Sequence, residues 1–154
     1  MTADNKHDRL QWSEDFSVGV PGIDEQHRTL FDLVNKIHTA ILEHKGTAAC
    51  TEVLNELVDY TRIHFAVEEC LMHITAFPEY EQHCALHHEL VHDVVVLQEK
   101  IRSGKAAISF ELLQFLRNWL IKHILGEDMK YADFFASDGE DNARKAEKKW
   151  WKFW

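Results

Sequence analysis

The chain has 154 residues, 45% of them hydrophobic, which is enough for one globular domain with its own core. Its formal net charge of −9 argues against nucleic acid as a partner, because that role needs clustered lysine and arginine. Three scattered cysteines form no C-x-x-C pair, and no signal peptide or bilayer-spanning apolar run is visible. We therefore expect a cytoplasmic protein.

Long segments without glycine or proline predict four helices. Residues 1–22 are expected to form an extended N-terminal arm that ends at Pro21-Gly22. Asp24 and Ser109 stand where the N-caps of the first and fourth helices belong. The predicted helices A to D cover about residues 24–43, 49–72, 79–102 and 109–125.

Each predicted helix carries an apolar stripe with steps of three and four residues. Four such helices with short links predict an all-α fold, an antiparallel up-down-up-down four-helix bundle with an N-terminal arm and a short C-terminal helical tail. We expect the bundle to cover residues 1–136. Residues 137–154 differ in composition and are expected to form an acidic linker and a basic, aromatic amphipathic tail.

Histidines lie on the apolar stripes of all four predicted helices, although burying an unpaired polar group is costly. In an antiparallel bundle, the starts of helices A and C and the ends of helices B and D lie at the same end. Five imidazoles and at least two carboxylates should therefore converge at one level. The residues on the stripes at that level are His27, His64, Glu68, His83, His87 and His123, and the carboxylates Glu127 and Asp128 follow shortly after His123.

This donor set predicts a metal centre. Imidazole mixed with carboxylate suits iron, zinc, copper or nickel, and five imidazoles exceed the four ligands of a closed zinc site. Seven ligands are too many for one ion. A dinuclear site with five terminal imidazoles and two bridging carboxylates fits the count, and it leaves one position open if each metal takes six ligands and shares a solvent-derived bridge.

The motifs His27, His64-x-x-x-Glu68, His83-x-x-x-His87 and His123-x-x-x-x-Asp128 resemble the hemerythrin family, in particular its bacterial single-domain members. The resemblance covers about residues 12–135. It implies two non-haem iron ions joined by an oxo or hydroxo bridge. His83, His87 and His123 would hold one iron, His27 and His64 would hold the other, and Glu68 and Asp128 would bridge them. The iron with two imidazoles would take O2, beneath an apolar pocket of Phe65, Trp119, Leu120 and Ile124.

Helix geometry and the resemblance differ on which carboxylate after His123 belongs to this set. On a straight α-helix Asp128 lies about 140° from the face of His123, and Glu127 fits better. Gly126 permits a local distortion or a helix end. The resemblance selects Asp128, while Glu127 is the alternative if helix D is undistorted. A second pair, His88 and His92, lies off the apolar stripe and is expected to be a flanking or solvated pair.

The resemblance and the histidine-rich donor set favour reversible O2 binding, for carriage, storage or delivery, over an enzyme. The alternatives are an O2 or redox sensor that acts through the tail, and a di-iron enzyme for peroxide or NO reduction or for iron donation. The tail segment Ala143–Trp154 suits a membrane surface or a protein partner, or it folds back on the bundle.

Overall fold

Four long helices form most of the computed structural model, which describes residues 9–137 and residue 148. Helix α1 packs against α2 and α4, α2 packs against α3, and short links make successive helices antiparallel. The predicted all-α four-helix bundle is confirmed. The helices are α1 (Pro21–Leu42), α2 (Thr47–Ile74), α3 (Tyr80–Arg102) and α4 (Phe110–Lys122), followed by a π-helical segment (His123–Asp128) and α5 (Met129–Ser137).

The first helix begins at Pro21, so the predicted N-cap at Asp24 is wrong. Proline fits the first helical position because its missing N–H is unneeded there and its φ is already helical. Val20 takes the cap position. The Asp24 carboxylate instead accepts hydrogen bonds from the Val18 N–H at 2.8 Å and the Ser17 hydroxyl at 2.6 Å. It therefore fastens the preceding chain to the first turn of α1.

From residue 9 the N-terminal arm packs along α1, but it is not extended throughout, because a 3-10 turn covers Glu14–Phe16, and it ends at Val20 and not at the predicted Pro21-Gly22. The side-chain amide of Asn35 accepts from the Leu10 N–H at 2.9 Å and donates to the Leu10 carbonyl at 2.8 Å. The rings of Trp12 and Phe16 lie 5.7 Å and 5.0 Å from the ring of Phe31. The arm thus covers one face of the bundle with both polar and apolar contacts.

The other helix ends lie close to their predicted positions, with one exception. Ser109 is the N-cap of α4, and its hydroxyl accepts from the Leu112 N–H at 3.3 Å. The predicted end of helix D near residue 125 is wrong, because the helical path continues through the π-helical segment into α5. Gly126 lies within this segment, so it marks a distortion of the helix and not its end.

The π-helical segment determines which side chains face the bundle. Its wider turn, with i→i+5 hydrogen bonding, brings Asp128 back to the face of His123. Asp128 is fully buried, whereas the Glu127 side chain is 31% exposed and pairs with Lys130 at 2.9 Å. Glu127 thus points away from the bundle interior.

Two apolar clusters divide the interior. The larger fills the bundle and includes Leu30, Phe65 and Leu120, while the smaller includes Ile23 and the α5 residue Tyr131. Along α1, His27 lies between Ile23 of the smaller cluster and Leu30 of the larger one. Along α2, the boundary between the clusters falls between Phe65 and Val67, and thus between His64 and Glu68. The predicted donors therefore lie between two dry layers.

Within the residues that the structure describes, no helix combines the length and the apolarity required to cross a bilayer. The tail predicted for Ala143–Trp154 lies outside the described residues, except for Lys148. Its proposed membrane or protein partner stays a prediction, which deletion of 143–154 and a vesicle-partition assay would test.

Candidate metal centre

All seven predicted donors meet at one end of the bundle, and none is more than 6% exposed. Helix α1 contributes one donor, α2 two, α3 two, and the π-helical segment two. On every histidine of the set the Nε2 atom faces the other donors. The set consists of His27, His64, Glu68, His83, His87, His123 and Asp128.

The imidazoles form two groups. His83, His87 and His123 make the three-imidazole group, with the Nε2 atoms of the last two 3.1 Å apart. His27 and His64 make the two-imidazole group, and their rings lie 4.7 Å apart. Each group could surround one ion together with carboxylate oxygens.

Glu68 lies between the two groups and offers one oxygen to each. Its Oε1 is 3.3 Å from the Nε2 atoms of both His27 and His64. Its Oε2 is 3.3 Å from the Nε2 of His87 and 3.7 Å from that of His83. This is the orientation of a carboxylate that bridges two ions.

Asp128 repeats the arrangement from the opposite helix. Its Oδ2 is 3.2 Å from the Nε2 of His27. Its Oδ1 is 3.2 Å from the Nε2 of His83 and 3.1 Å from that of His123. Both carboxylates therefore connect the two-imidazole group with the three-imidazole group.

The buried carboxylates polarise the imidazoles. Burial lowers the pKa of His27, but its contacts with Asp128 and Glu68 outweigh burial and raise the pKa to about 9. The same opposing causes raise the pKa of His83 to about 9. Burial keeps the pKa of His64 below its usual value. Burial would raise the pKa of both carboxyl groups, but their histidine neighbours hold it well below the usual range.

Several atoms of the seven candidate ligands are buried and have no hydrogen-bond partner among the residues that the structure describes. They include the Nε2 atoms of His27 and His83, the Oε2 of Glu68 and both carboxylate oxygens of Asp128. Such atoms are costly unless something satisfies them. Two cations at this level would satisfy them all, and the mixture of imidazole and carboxylate suits first-row transition metals. The residues therefore fit a dinuclear metal centre.

Three further residues hold the donors in place, and sequence reasoning did not assign them to the site. The Nδ1 of His87 is 2.9 Å from the Oε1 of Glu69, and the Nδ1 of His64 is 2.7 Å from the Oε1 of Gln26. The Tyr131 hydroxyl donates to the Oε1 of Glu68 at 2.7 Å. Glu69 and Gln26 each directly adjoin a donor in sequence, which was the available signal.

The O2 pocket was expected over the two-imidazole group, but its two aromatic residues, Phe65 and Trp119, stack on histidines of the three-imidazole group. Phe65 stacks on His87 with ring centroids 3.6 Å apart and planes 3° apart. Trp119 stacks on His123 at 4.5 Å. Ile124 is fully buried beside His123 in sequence.

Trp119 and Leu120 also line an apolar cavity of about 40 Å³. Leu30, Thr61 and Leu90 line it too. Leu30 and Leu90 lie three residues after His27 and His87, and Thr61 lies three residues before His64. The cavity is therefore one helical turn from the donors. The Thr61 hydroxyl is satisfied by the Leu57 carbonyl at 2.7 Å, so the cavity is expected to stay dry.

The second histidine pair lies apart from the donors. His88 and His92 are exposed, as predicted, and line a surface depression of about 390 Å³. Phe65 and Glu69 form part of the same depression.

A histidine-rich, two-part donor set inside an antiparallel four-helix bundle defines a metal-binding helical bundle. Residues 18–135 match the family model described as the hemerythrin HHE cation binding domain. A bacteriohemerythrin from Stenotrophomonas maltophilia (strain R551-3) is 38% identical over 124 residues, which are 80% of each chain. The chain belongs to the hemerythrin family, as its motifs indicated.

Two more similarities extend this result. A myohemerythrin from Theromyzon tessulatum is 31% identical over 79% of this chain and 89% of its own length. The crystal structure of wild-type hemerythrin superposes with a TM-score of 0.77 at 32% identity, covering 80% of this chain and 95% of that one. Sequence and fold therefore place the chain in the oxygen-binding, metal-binding hemerythrin family.

Proposed function

We propose that this chain binds O2 reversibly at a non-haem di-iron centre, for carriage, storage or delivery of oxygen. The observation that carries the proposal is the orientation of the two carboxylates. Glu68 and Asp128 each direct one oxygen to the two-imidazole group and the other to the three-imidazole group. Two cations, and not one, match that arrangement.

The donors divide unequally between the two ions. His83, His87 and His123 would hold one iron and His27 and His64 the other, with Glu68 and Asp128 shared. With one solvent-derived bridge, the first iron would have six ligands and the second would have five. The iron pair supplies, when bound, a reversible two-electron exchange with O2 at the second iron. Five imidazoles and only two carboxylates favour binding of O2 over the oxidation chemistry of carboxylate-rich di-iron bundles.

Aromatic and apolar residues around the donors exclude water from the site. Phe65 and Trp119 cover the imidazoles of the three-imidazole group with their ring faces. Leu120 lines the apolar cavity one turn from the donors, and that cavity matches a small apolar molecule such as O2. Excluding water and anions slows irreversible oxidation of such a centre.

Metal analysis combined with visible spectroscopy tests the proposal. We expect two irons per chain, a nearly colourless protein when reduced without oxygen, a visible band on exposure to O2, and loss of that band on degassing. Zinc in place of iron, or a band that does not reverse, would contradict the proposal. Continuous O2 consumption in the presence of a reductant would show the di-iron enzyme instead.

A further inference from the structure

The hydrogen-bond acceptors at the Nδ1 atoms differ in charge between the two imidazole groups. On the three-imidazole side, the acceptor at the Nδ1 of His87 is the carboxylate of Glu69, at 2.9 Å. On the two-imidazole side, the acceptor at the Nδ1 of His64 is the neutral amide of Gln26, at 2.7 Å. The Nδ1 of His27 has no partner among the described residues.

The hydrogen bond from Tyr131 to Glu68 also distinguishes the two-imidazole group from the three-imidazole group. The Tyr131 hydroxyl donates to the Oε1 of Glu68, the oxygen that faces His27 and His64. The Oε2 of Glu68, which faces the three-imidazole group, has no hydrogen-bond partner among the described residues. A donated hydrogen bond withdraws electron density from the oxygen that accepts it, so the two-imidazole side receives the weaker carboxylate donor.

We propose that Glu69, Gln26 and Tyr131 are positioning residues that make the two metal positions electronically unequal. A carboxylate acceptor at Nδ1 makes the imidazole a stronger donor through Nε2, and it does so more than a neutral amide. The three-imidazole ion is therefore the better stabilised in its oxidised form. The two-imidazole ion stays electron-poor and so suited to taking an additional ligand.

This inference rests on the proposed di-iron centre, and exchange of the two acceptors tests it. Glu69→Gln keeps an oxygen for the His87 N–H and removes the charge, whereas Gln26→Glu adds a charge behind His64. Glu89→Gln is the matched control, because it removes an exposed charge two residues from His87. Reduction potentials of the iron-loaded proteins are measured without O2, by spectroelectrochemistry.

We expect Glu69→Gln to shift the equilibrium of the first one-electron oxidation towards the reduced state at least tenfold, or about 59 mV. Glu69→Asp should restore much of the wild-type value, and Glu89→Gln should leave it nearly unchanged. An equal shift in Glu69→Gln and Glu89→Gln would overturn the proposal, because it would show only a distant charge effect.

Mössbauer spectroscopy of the one-electron-oxidised form adds a second readout. In the double variant Glu69→Gln with Gln26→Glu, the ferric signal should move to the other iron and change its quadrupole splitting. An unchanged ferric signal would overturn the proposal. Should Glu69→Gln lose iron, Gln26→Glu decides, since it must lower the potential clearly more than Gln82→Glu, which adds an exposed charge beside His83; equal shifts would overturn the proposal. A wild-type protein with two irons that fails to bind O2 would refute the proposed function without changing these measurements.

Discussion

Phe65 lies between the metal centre and a surface depression that the donor His87 also lines. One face of its ring lies on the imidazole of His87, while the residue also lines the surface depression of about 390 Å³. Its side chain is only 4% exposed. Replacing Phe65 with alanine should therefore open a path for water from the depression to the donors, whereas leucine should keep an apolar barrier.

The loss of folding stability in the alanine variant follows from the burial of Phe65. Truncation of a buried phenylalanine to alanine typically costs about 3–5 kcal/mol. In a chain of this length each kcal/mol lowers Tm by about 2–4 °C, so we expect a decrease of about 6–20 °C. Phe65→Leu retains most of the apolar volume and should cost roughly 1.5 kcal/mol or less.

The rate of autoxidation measures how readily water reaches the metal centre in each variant. The O2-bound protein is prepared for both variants and kept at a temperature well below either unfolding transition, and loss of the visible band is followed with time. We expect Phe65→Ala to oxidise several-fold faster than Phe65→Leu, and further acceleration by added azide. Equal rates in the two variants would refute the role of Phe65 as a barrier.

Three further predictions concern the donors. His83→Ala should lose metal, whereas His88→Ala on the exposed face should keep two irons by elemental analysis; two irons in both would overturn the assignment. Asp128→Ala should lose the bridged centre and Glu127→Ala should not, judged by iron content and visible spectrum. In metal-free protein, His27 and His83 have pKa values of about 9, above the usual 6.5. Their protonation therefore stabilises that fold fully below pH 6.5, and this contribution is lost as the pH rises through 9. Metal binding should release about two protons at pH 7, so the affinity for metal should increase about 100-fold from pH 7 to 8. Chelator competition measures this affinity, and an affinity independent of pH would contradict the prediction.

Much of the fold follows from periodicity. Apolar positions with a helical repeat predicted the four helices, and the antiparallel order placed the polar exceptions on those stripes at one level. The Asp24 cap was wrong because an aspartate at the start of a helix serves equally well inside the first turn, where it binds the preceding chain. Sequence alone does not separate these two uses.

The arrangement around the donors was less predictable. Glu69 and Gln26 lie off the apolar stripes, and their contacts with His87 and His64 depend on how neighbouring helices are rotated. A 3.6-residue period favoured Glu127 over Asp128, but the π-helical segment changes the period for a single turn and directs Asp128 inward. Only Gly126 signalled that a distortion was possible there.

The buried atoms that lack hydrogen-bond partners among the described residues affect how much of this protein a cell retains. Without metal, the end of the bundle that holds Glu68 and Asp128 contains buried oxygens with no hydrogen-bond partner among the described residues, so this end should open before the opposite one. Metal stabilises the folded chain by mass action, in proportion to its supply. Because opened chains are degraded, the abundance of this protein should follow the availability of iron even when its rate of synthesis is constant.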